Sequence, residues 1–193
     1  MLCFSYSLSA GNFSADSVLL DAYLREDMSV WREYLERTQS TDRSVNRIQT
    51  DLVYEYGFCG YMVDREKTKA LPYVKRFKQH IEAQKANLPT GHYEMYLSAV
   101  YVYEYKLRAS FHVVKAMSLA KEATRLAPND PLVSSYYGTC LFYAPKPIGS
   151  KQEALEWFSK AQALFADEEW RYCWVREATE MYIVQCKEKL SKR

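Results

Sequence analysis

Three histidines, five cysteines and a short run of carboxylates are the residues of this chain that chemistry would draw on. His80, His92 and His112 stand apart, with no i, i+4 pair and no H-E-x-x-H. A zinc pair on one helix face therefore does not form. His92, beside an expected helix start, reads as a surface residue. Cys3, Cys59, Cys140, Cys173 and Cys186 contain no C-x-x-C and no zinc-like spacing. A disulfide framework is not expected where a chain can build its own core. Four of the five fall in expected helices, where a free cysteine behaves as a small buried hydrophobe. Gly57-Phe58-Cys59-Gly60 invites a nucleophile reading. A reactive thiolate needs an electropositive, exposed setting, which aromatic neighbours do not offer. A G-x-x-G inside a helical pattern reads instead as a close-packing site. Asp167, Glu168 and Glu169 suit the first turn of a helix, where the dipole favours negative charge. Glu153 belongs to a capping box with Ser150. Phosphate loops, G-x-S-x-G and Cys/His nucleophile signatures are absent from the sequence. The expectation is a chain without catalytic residues, metal or cofactor.

The elements that must position these residues are helical. There are 6 Gly and 6 Pro, too few for a sandwich or barrel rich in tight turns. Ser14 or Asp16 can cap a first helix carrying Val18, Leu19, Ala22 and Tyr23. It restarts near Asp27 or Ser29 with Val30, Trp31, Tyr34 and Leu35 on one face. A second segment begins near Asp42 or Ser44 and ends near Val63. Asp64 then caps a helix from Arg65 to about Ala86, with Pro72 kinking it or delaying its start. Further helices run from His92 to about Ala109 and from about Phe111 to Leu126. Asp130 caps the next, with Pro131 in its first position, and it reaches about Tyr143. Ser150 opens a helix to about Phe165, and Asp167 caps the last, to about Leu190.

A spacing recurs along these helices. Ala116, Ala120, Ala123 and Pro128 sit at offsets 0, 4, 7 and 12, and Ala154, Phe158, Ala161 and Ala166 repeat them. Tyr137, Gly138 and Leu141 precede the second set. A weaker unit reads Val53, Tyr56 and Gly57, then Ala70, Val74 and Phe77. In this pattern the chain resembles the tetratricopeptide repeat family, whose unit is a helix–turn–helix of ~34 residues. The resemblance covers about residues 44–190, and its best units are 93–128 and 131–166. Gly138 and Ala154 are 16 residues apart, so the loop Ala144-Pro145-Lys146-Pro147-Ile148-Gly149-Ser150-Lys151 is an insertion against the ~12 of the family pattern. The family's tryptophan is missing from each first helix, and residues 1–41 match nothing in the pattern. The resemblance implies an all-α fold: a right-handed α-α superhelix of about three hairpins. It would carry extra N-terminal helices and a C-terminal capping helix with Trp170, Trp174, Tyr182 and Val184. Residues 13–193 then form one domain.

Lys151 to Ala161 is also similar to the helical T-components of periplasmic TRAP transporter systems and to related bacterial envelope repeat proteins. Residues 1–12 carry two readings, the remnant of a secretory signal or a frayed N-terminus. The first 24 residues contain no Lys or Arg, and Leu8-Ser9-Ala10 is a tolerable cleavage context. The first reading places the protein in the periplasm or outside the cell, the second in the cytoplasm. No apolar run approaches the ~20 residues that span a bilayer.

Seventeen tyrosines beside 8 Phe and 4 Trp are the compositional oddity. Tyrosine has an apolar body and a polar tip, which suits half-buried faces and inter-helix packing alike. In the tetratricopeptide fold the first helix of each hairpin lines the concave face. Registered on Gly57 and Gly138, that face would present Tyr54, Phe58 and Tyr61, then Tyr101, Tyr105 and Arg108. Ser135, Thr139 and Phe142 would follow, with Arg171 from the cap. Rings with a few arginines make a groove for a protein or peptide. The resemblance thus implies a non-catalytic scaffold that binds a protein or peptide partner. The alternative, implied by the T-component similarity, is a periplasmic small-ligand-binding component. Self-association is a further mode. The net charge of +2, from 26 Lys+Arg against 24 Asp+Glu with both signs interspersed, gives no basic patch for nucleic acid.

Overall fold

A computed structural model describes residues 12–37, 44–108, 112–166 and 173–192, and over them the protein is all-α. The helices are α1 (Asn12–Leu24), α2 (Ser29–Arg37), α3 (Val45–Arg65), α4 (Lys67–Gln84), α5 (His92–Lys106), α6 (Val113–Leu126), α7 (Pro131–Tyr143), α8 (Lys151–Ala166) and α9 (Cys173–Ser191). A single 3-10 turn, Lys85–Asn87, follows α4, and the described residues contain no strand.

Polar caps start several helices where the sequence places them. Asp130 Oδ1 accepts the Val133 N–H at 2.9 Å, and Ser150 Oγ accepts the Glu153 N–H at 3.2 Å. Each satisfies an amide that has no partner inside its helix. Ser44 does the same for Arg47. Asp64 departs from expectation: α3 continues through it to Arg65, and Glu66 alone separates α3 from α4. Pro72 lies within α4. Its missing N–H falls on an exposed side of the helix, where water can answer the orphaned carbonyl. The Asp167 cap lies outside the described residues.

The repeated small residues explain how the helices pair. Ala116, Ala120 and Ala123 of α6, and Ala154, Phe158 and Ala161 of α8, are all fully buried. Short side chains let two backbones approach, and the larger ones fill the space around the contact. Gly138 shows the tolerance: a Cβ there would lie 2.9 Å from the Phe158 ring. Sequence neighbours are also neighbours in space, α3 on α4, α5 on α6, α7 on α8 and α8 on α9. Alternate helices touch as well, α3 with α5, α5 with α7 and α7 with α9. The two N-terminal helices join this array at neighbouring places, each reaching Trp174 of α9. The main contacts of α1 outside the pair are with α9, and those of α2 are with α3.

Cys59, Cys140 and Cys186 are free and buried. Of the expected capping residues, Trp174 is buried and Tyr182 half-buried, but Val184 is 55% exposed on the outer side of α9. Trp170 lies outside the described residues. No helix among them is long and apolar enough to cross a membrane.

Candidate functional site

One cluster of aromatic residues joins four helices of the array. Tyr56 of α3 stands at its centre. Its ring centroid lies 6.3 Å from both Tyr96 and Tyr103 of α5, 5.9 Å from Tyr136 of α7 and 5.8 Å from Trp174 of α9. Tyr23 of α1 and Trp31 of α2 close the cluster, 5.6 and 5.4 Å from Trp174. The polar tips are largely answered from within. Tyr103 donates to the Tyr56 carbonyl at 3.0 Å, and Trp31 Nε1 donates to the Leu19 carbonyl at 2.6 Å. The Tyr136 hydroxyl meets Ser98 Oγ at 2.8 Å, and Ser98 in turn donates to the Ala116 carbonyl. Burial pushes the pKa values of Tyr56, Tyr103 and Tyr136 upward, and the Cys140 thiol up to about 12. These groups hold their protons at neutral pH.

Of the ten groove positions expected from the sequence, the nine that are described do not share one surface. Tyr54 and Phe58 are each 1% exposed, and α2 lies over both. Tyr61 is half-buried against the core. Ser135 is buried, with its hydroxyl 2.8 Å from that of Thr179 on α9, and Thr139 bonds back to the Ser135 carbonyl. Phe142 is buried beneath the ammonium groups of Lys151 and Lys189, 4.1 and 4.6 Å from its ring centroid. Tyr101 stands between Lys78 of α4 and Lys115 of α6. It is two residues from Tyr103, hence on nearly the opposite side of α5 from the aromatic cluster. Tyr105 and Arg108 are exposed at the C-terminal end of α5, where Arg108 adopts φ +57°. Arg171 lies outside the described residues.

A row of side chains crosses the C-terminal ends of α3, α5 and α7 and reaches the middle of α9. Lys106 of α5 pairs with Asp64 of α3 at 2.8 Å and lies 5.3 Å above the Tyr143 ring of α7. The Tyr143 hydroxyl is 3.2 Å from that of Tyr182 on α9. Tyr143 is 56% and Tyr105 47% exposed, so this end remains available to solvent.

Two further polar groups are built into helix contacts. Glu55 of α3 is buried, its carboxylate 3.0 Å from His80 Nδ1 and 3.7 Å from Arg76 Nε, both on α4. One turn earlier, Asp51 meets Arg47 at 2.9 Å and the Tyr34 hydroxyl at 3.3 Å. Burial raises the Asp51 pKa against both partners. The hydrogen bond to Glu55 raises that of His80, against partial burial. A histidine held above its unfolded value contributes stability that is complete below about pH 6.5 and is lost as pH rises through the folded value. Glu55→Gln is expected to return His80 toward the ordinary histidine range. Following the imidazole C–H resonances of both proteins from pH 5 to 9 checks this; an unchanged His80 titration would refute the pairing.

The second group corrects the sequence reading of His92. Its side chain is only 8% exposed, and Nε2 bonds to Asp130 Oδ2 at 2.8 Å. This contact ties the start of α5 to the start of α7, so the helix-start position is covered by the next hairpin.

The sequence carried a signal for the Glu55 group that went unread. Arg47, Asp51, Glu55 and Cys59 recur every four residues on α3, and Arg76 and His80 do so on α4. The Asp64–Lys106–Tyr143 row left no such signal, because three separate helices supply it. Groups of three or more His, Cys, Asp or Glu arranged to hold a metal ion are absent among the described residues. Compared with family models, with curated proteins and with solved structures, the chain finds no match in any of the three.

Proposed function

We propose that this protein is a non-catalytic, tetratricopeptide-like scaffold that binds a protein or peptide across its first helices, α3, α5 and α7, and its last helix, α9. The observation that carries the reading is the row Asp64–Lys106–Tyr143–Tyr182. It runs across all four helices and combines an exposed ring, Tyr143, and a half-buried one, Tyr182, with a cation. Amphipathic rings and a long cationic side chain on rigid helices give contact area at low entropic cost. The buried alanine spines of α6 and α8, and the contacts between alternate helices, support the repeat arrangement in which such a row becomes a continuous face.

The test uses a displayed peptide library selected on the full chain. Peptides taken this way are expected to lose at least tenfold in affinity for a Tyr105→Ser, Lys106→Glu, Tyr143→Ser variant. They should keep their affinity for a Lys121→Glu, Arg125→Glu variant of the exposed α6 surface. Equal binding to the first variant and the wild type would overturn the reading.

A further inference from the structure

The net charge of +2 hides a segregation along the chain. Residues 67–126, which hold α4, α5 and α6, carry 11 Lys+Arg against 4 Asp+Glu. The rest of the sequence carries 15 against 20. The excess is concentrated on α4 and the 3-10 turn after it, with six Lys and Arg and a single acid, Glu82. Arg76 is committed to the buried Glu55, and Lys69 pairs with Glu66. The other four, Lys67, Lys75, Lys78 and Lys85, stand at i, i+8, i+11 and i+18, one stripe of a helix.

This stripe borders the side of α5 that faces away from the aromatic cluster. Lys85 Nζ lies 4.1 Å above the Tyr93 ring, and Lys78 Nζ 5.3 Å above the Tyr101 ring. Lys115 reaches the same Tyr101 ring from α6, at 5.0 Å. The carboxylates nearby are few. Glu104 holds Lys78 at 3.3 Å, Glu82 accepts the Tyr93 hydroxyl at 3.1 Å, and Glu122 pairs with Arg125. Glu94, half-buried on α5, is the fourth. Lys67, Lys75, Lys85 and Lys115 are exposed and have no carboxylate partner among the described residues.

Two properties distinguish the stripe from an ordinary solvated face. Like charges along one side of a helix repel, and an anionic partner relieves that repulsion. A lysine laid on a tyrosine ring also keeps its ammonium in a fixed place, so less side-chain freedom is lost on binding. The ring contact leaves N–H donors of the ammonium open to an anion. The chemistry favours carboxylates over nucleic acid. The cations are lysines, without the planar fork that arginine offers a phosphate. The Tyr93 and Tyr101 rings are already faced by ammonium groups, whereas single strands are gripped by open rings.

We infer that the lysine stripe of α4, with Lys115 of α6, is a second interaction surface whose partner is an acidic segment of another protein. From Lys67 to Lys85 the stripe is about 27 Å long, the reach of roughly eight extended residues. It is separate from the Lys106–Tyr143 row, since five residues, about 140 degrees of turn, divide Tyr101 from Lys106.

The probe is a fluorescein-labelled peptide of ten glutamates, titrated by anisotropy into the full-length protein at physiological ionic strength. A Lys67→Glu, Lys75→Glu, Lys85→Glu, Lys115→Glu variant is expected to bind it at least tenfold more weakly than the wild type. The control is Lys121→Glu, Lys146→Glu, Lys187→Glu, Lys192→Glu, four exposed lysines elsewhere. It has the same net charge and should lose less than threefold. No binding to the wild type overturns the inference. So does an equal loss in both variants, which leaves only general charge attraction. A strand of ten thymidines that binds the wild type as tightly as the peptide, and is lost from the stripe variant, would assign the surface to nucleic acid and overturn an acidic protein partner. A native mass that is doubled in the wild type and single in the stripe variant would assign it to a second copy, with the same consequence. Should the stripe variant lose helicity by circular dichroism, Lys75→Glu, Lys85→Glu is compared with Lys121→Glu, Lys187→Glu instead. At least a threefold difference is then expected, and none refutes the surface. Library peptides held through Tyr105, Lys106 and Tyr143 should bind the stripe variant as they bind the wild type, so either reading can fail alone.

Discussion

Phe158→Ala is expected to cost about 3–5 kcal/mol, the usual range for a fully buried phenylalanine. In a chain of this length that corresponds to a fall in Tm of roughly 6–20 °C. The side chain is 0% exposed and carries more than its own area. Its ring stacks on Tyr182 of α9 at 5.1 Å with 7° between the planes, and it fills the space above Gly138 of α7. One residue on α8 therefore holds the helix before it and the helix after it. Gly138 gives the prediction a sharper form. In the wild type, Gly138→Ala places a methyl 2.9 Å from the Phe158 ring, and such overpacking costs about 1–3 kcal/mol. With Phe158→Ala already present the obstructing atoms are gone. The same change should then be neutral or stabilising by up to about 1 kcal/mol, the helix-propensity difference between the two residues. Denaturant unfolding of the four proteins of this cycle checks both the size and the reversal of sign. Strict additivity would show that α7 and α8 do not meet at this pair.

Asp130→Ala is expected to cost roughly 2–4 kcal/mol, because one carboxylate performs two tasks. Its Oδ1 caps α7 through the Val133 N–H, worth about 1 kcal/mol. Its Oδ2 holds His92 Nε2, and removing it strands a buried ring nitrogen at a cost of about 1–3 kcal/mol. Burial alone would raise the Asp130 pKa. The hydrogen bond and charge of His92, with the amides of Val133 and Leu132, outweigh it and hold the carboxyl below its usual value. A depressed carboxyl contributes stability that is present above the unfolded value and lost as pH falls through the folded one. The comparison with Asp130→Asn isolates that part, since asparagine can still cap the helix. Wild type should exceed the Asn variant at pH 7, and the gap should begin to narrow as pH falls below about 4, near the unfolded aspartate value, and close only below the lowered folded value. A gap that stays constant from pH 3 to pH 7 in urea unfolding would mean that the charge contributes nothing.

The legibility of this chain follows the range of the interactions. Helix starts at Asp130 and Ser150 were readable because a cap bonds an amide three residues ahead. The buried faces of α6 and α8 were readable because the alanine spacing repeats at the helical period. Asp64 misled because an aspartate followed by a helix looks the same whether the chain turns before it or after it. His92 misled because its cover, Asp130, lies 38 residues further along. The candidate groove was the least legible part. A register that names Tyr101 and Tyr105 of α5, with Arg108 just past its end, puts Tyr101 among lysines of α4 and α6, away from Tyr103. A shift of one residue turns a helix by about 100 degrees, so small errors of register change the face entirely.

The sequence by itself determined an all-helical chain, the places where several helices start and the small-residue seams along which they pair. All of these follow from periodicity and contacts a few residues apart. Only the tertiary structure decided which rings are exposed. It brought Tyr23 and Trp31 from the N-terminal helices onto Trp174 of α9, and laid α2 over Tyr54 and Phe58. No local pattern encodes that cover. It depends on surfaces that exist only after the hairpins have stacked, and on Gly57 leaving room between them.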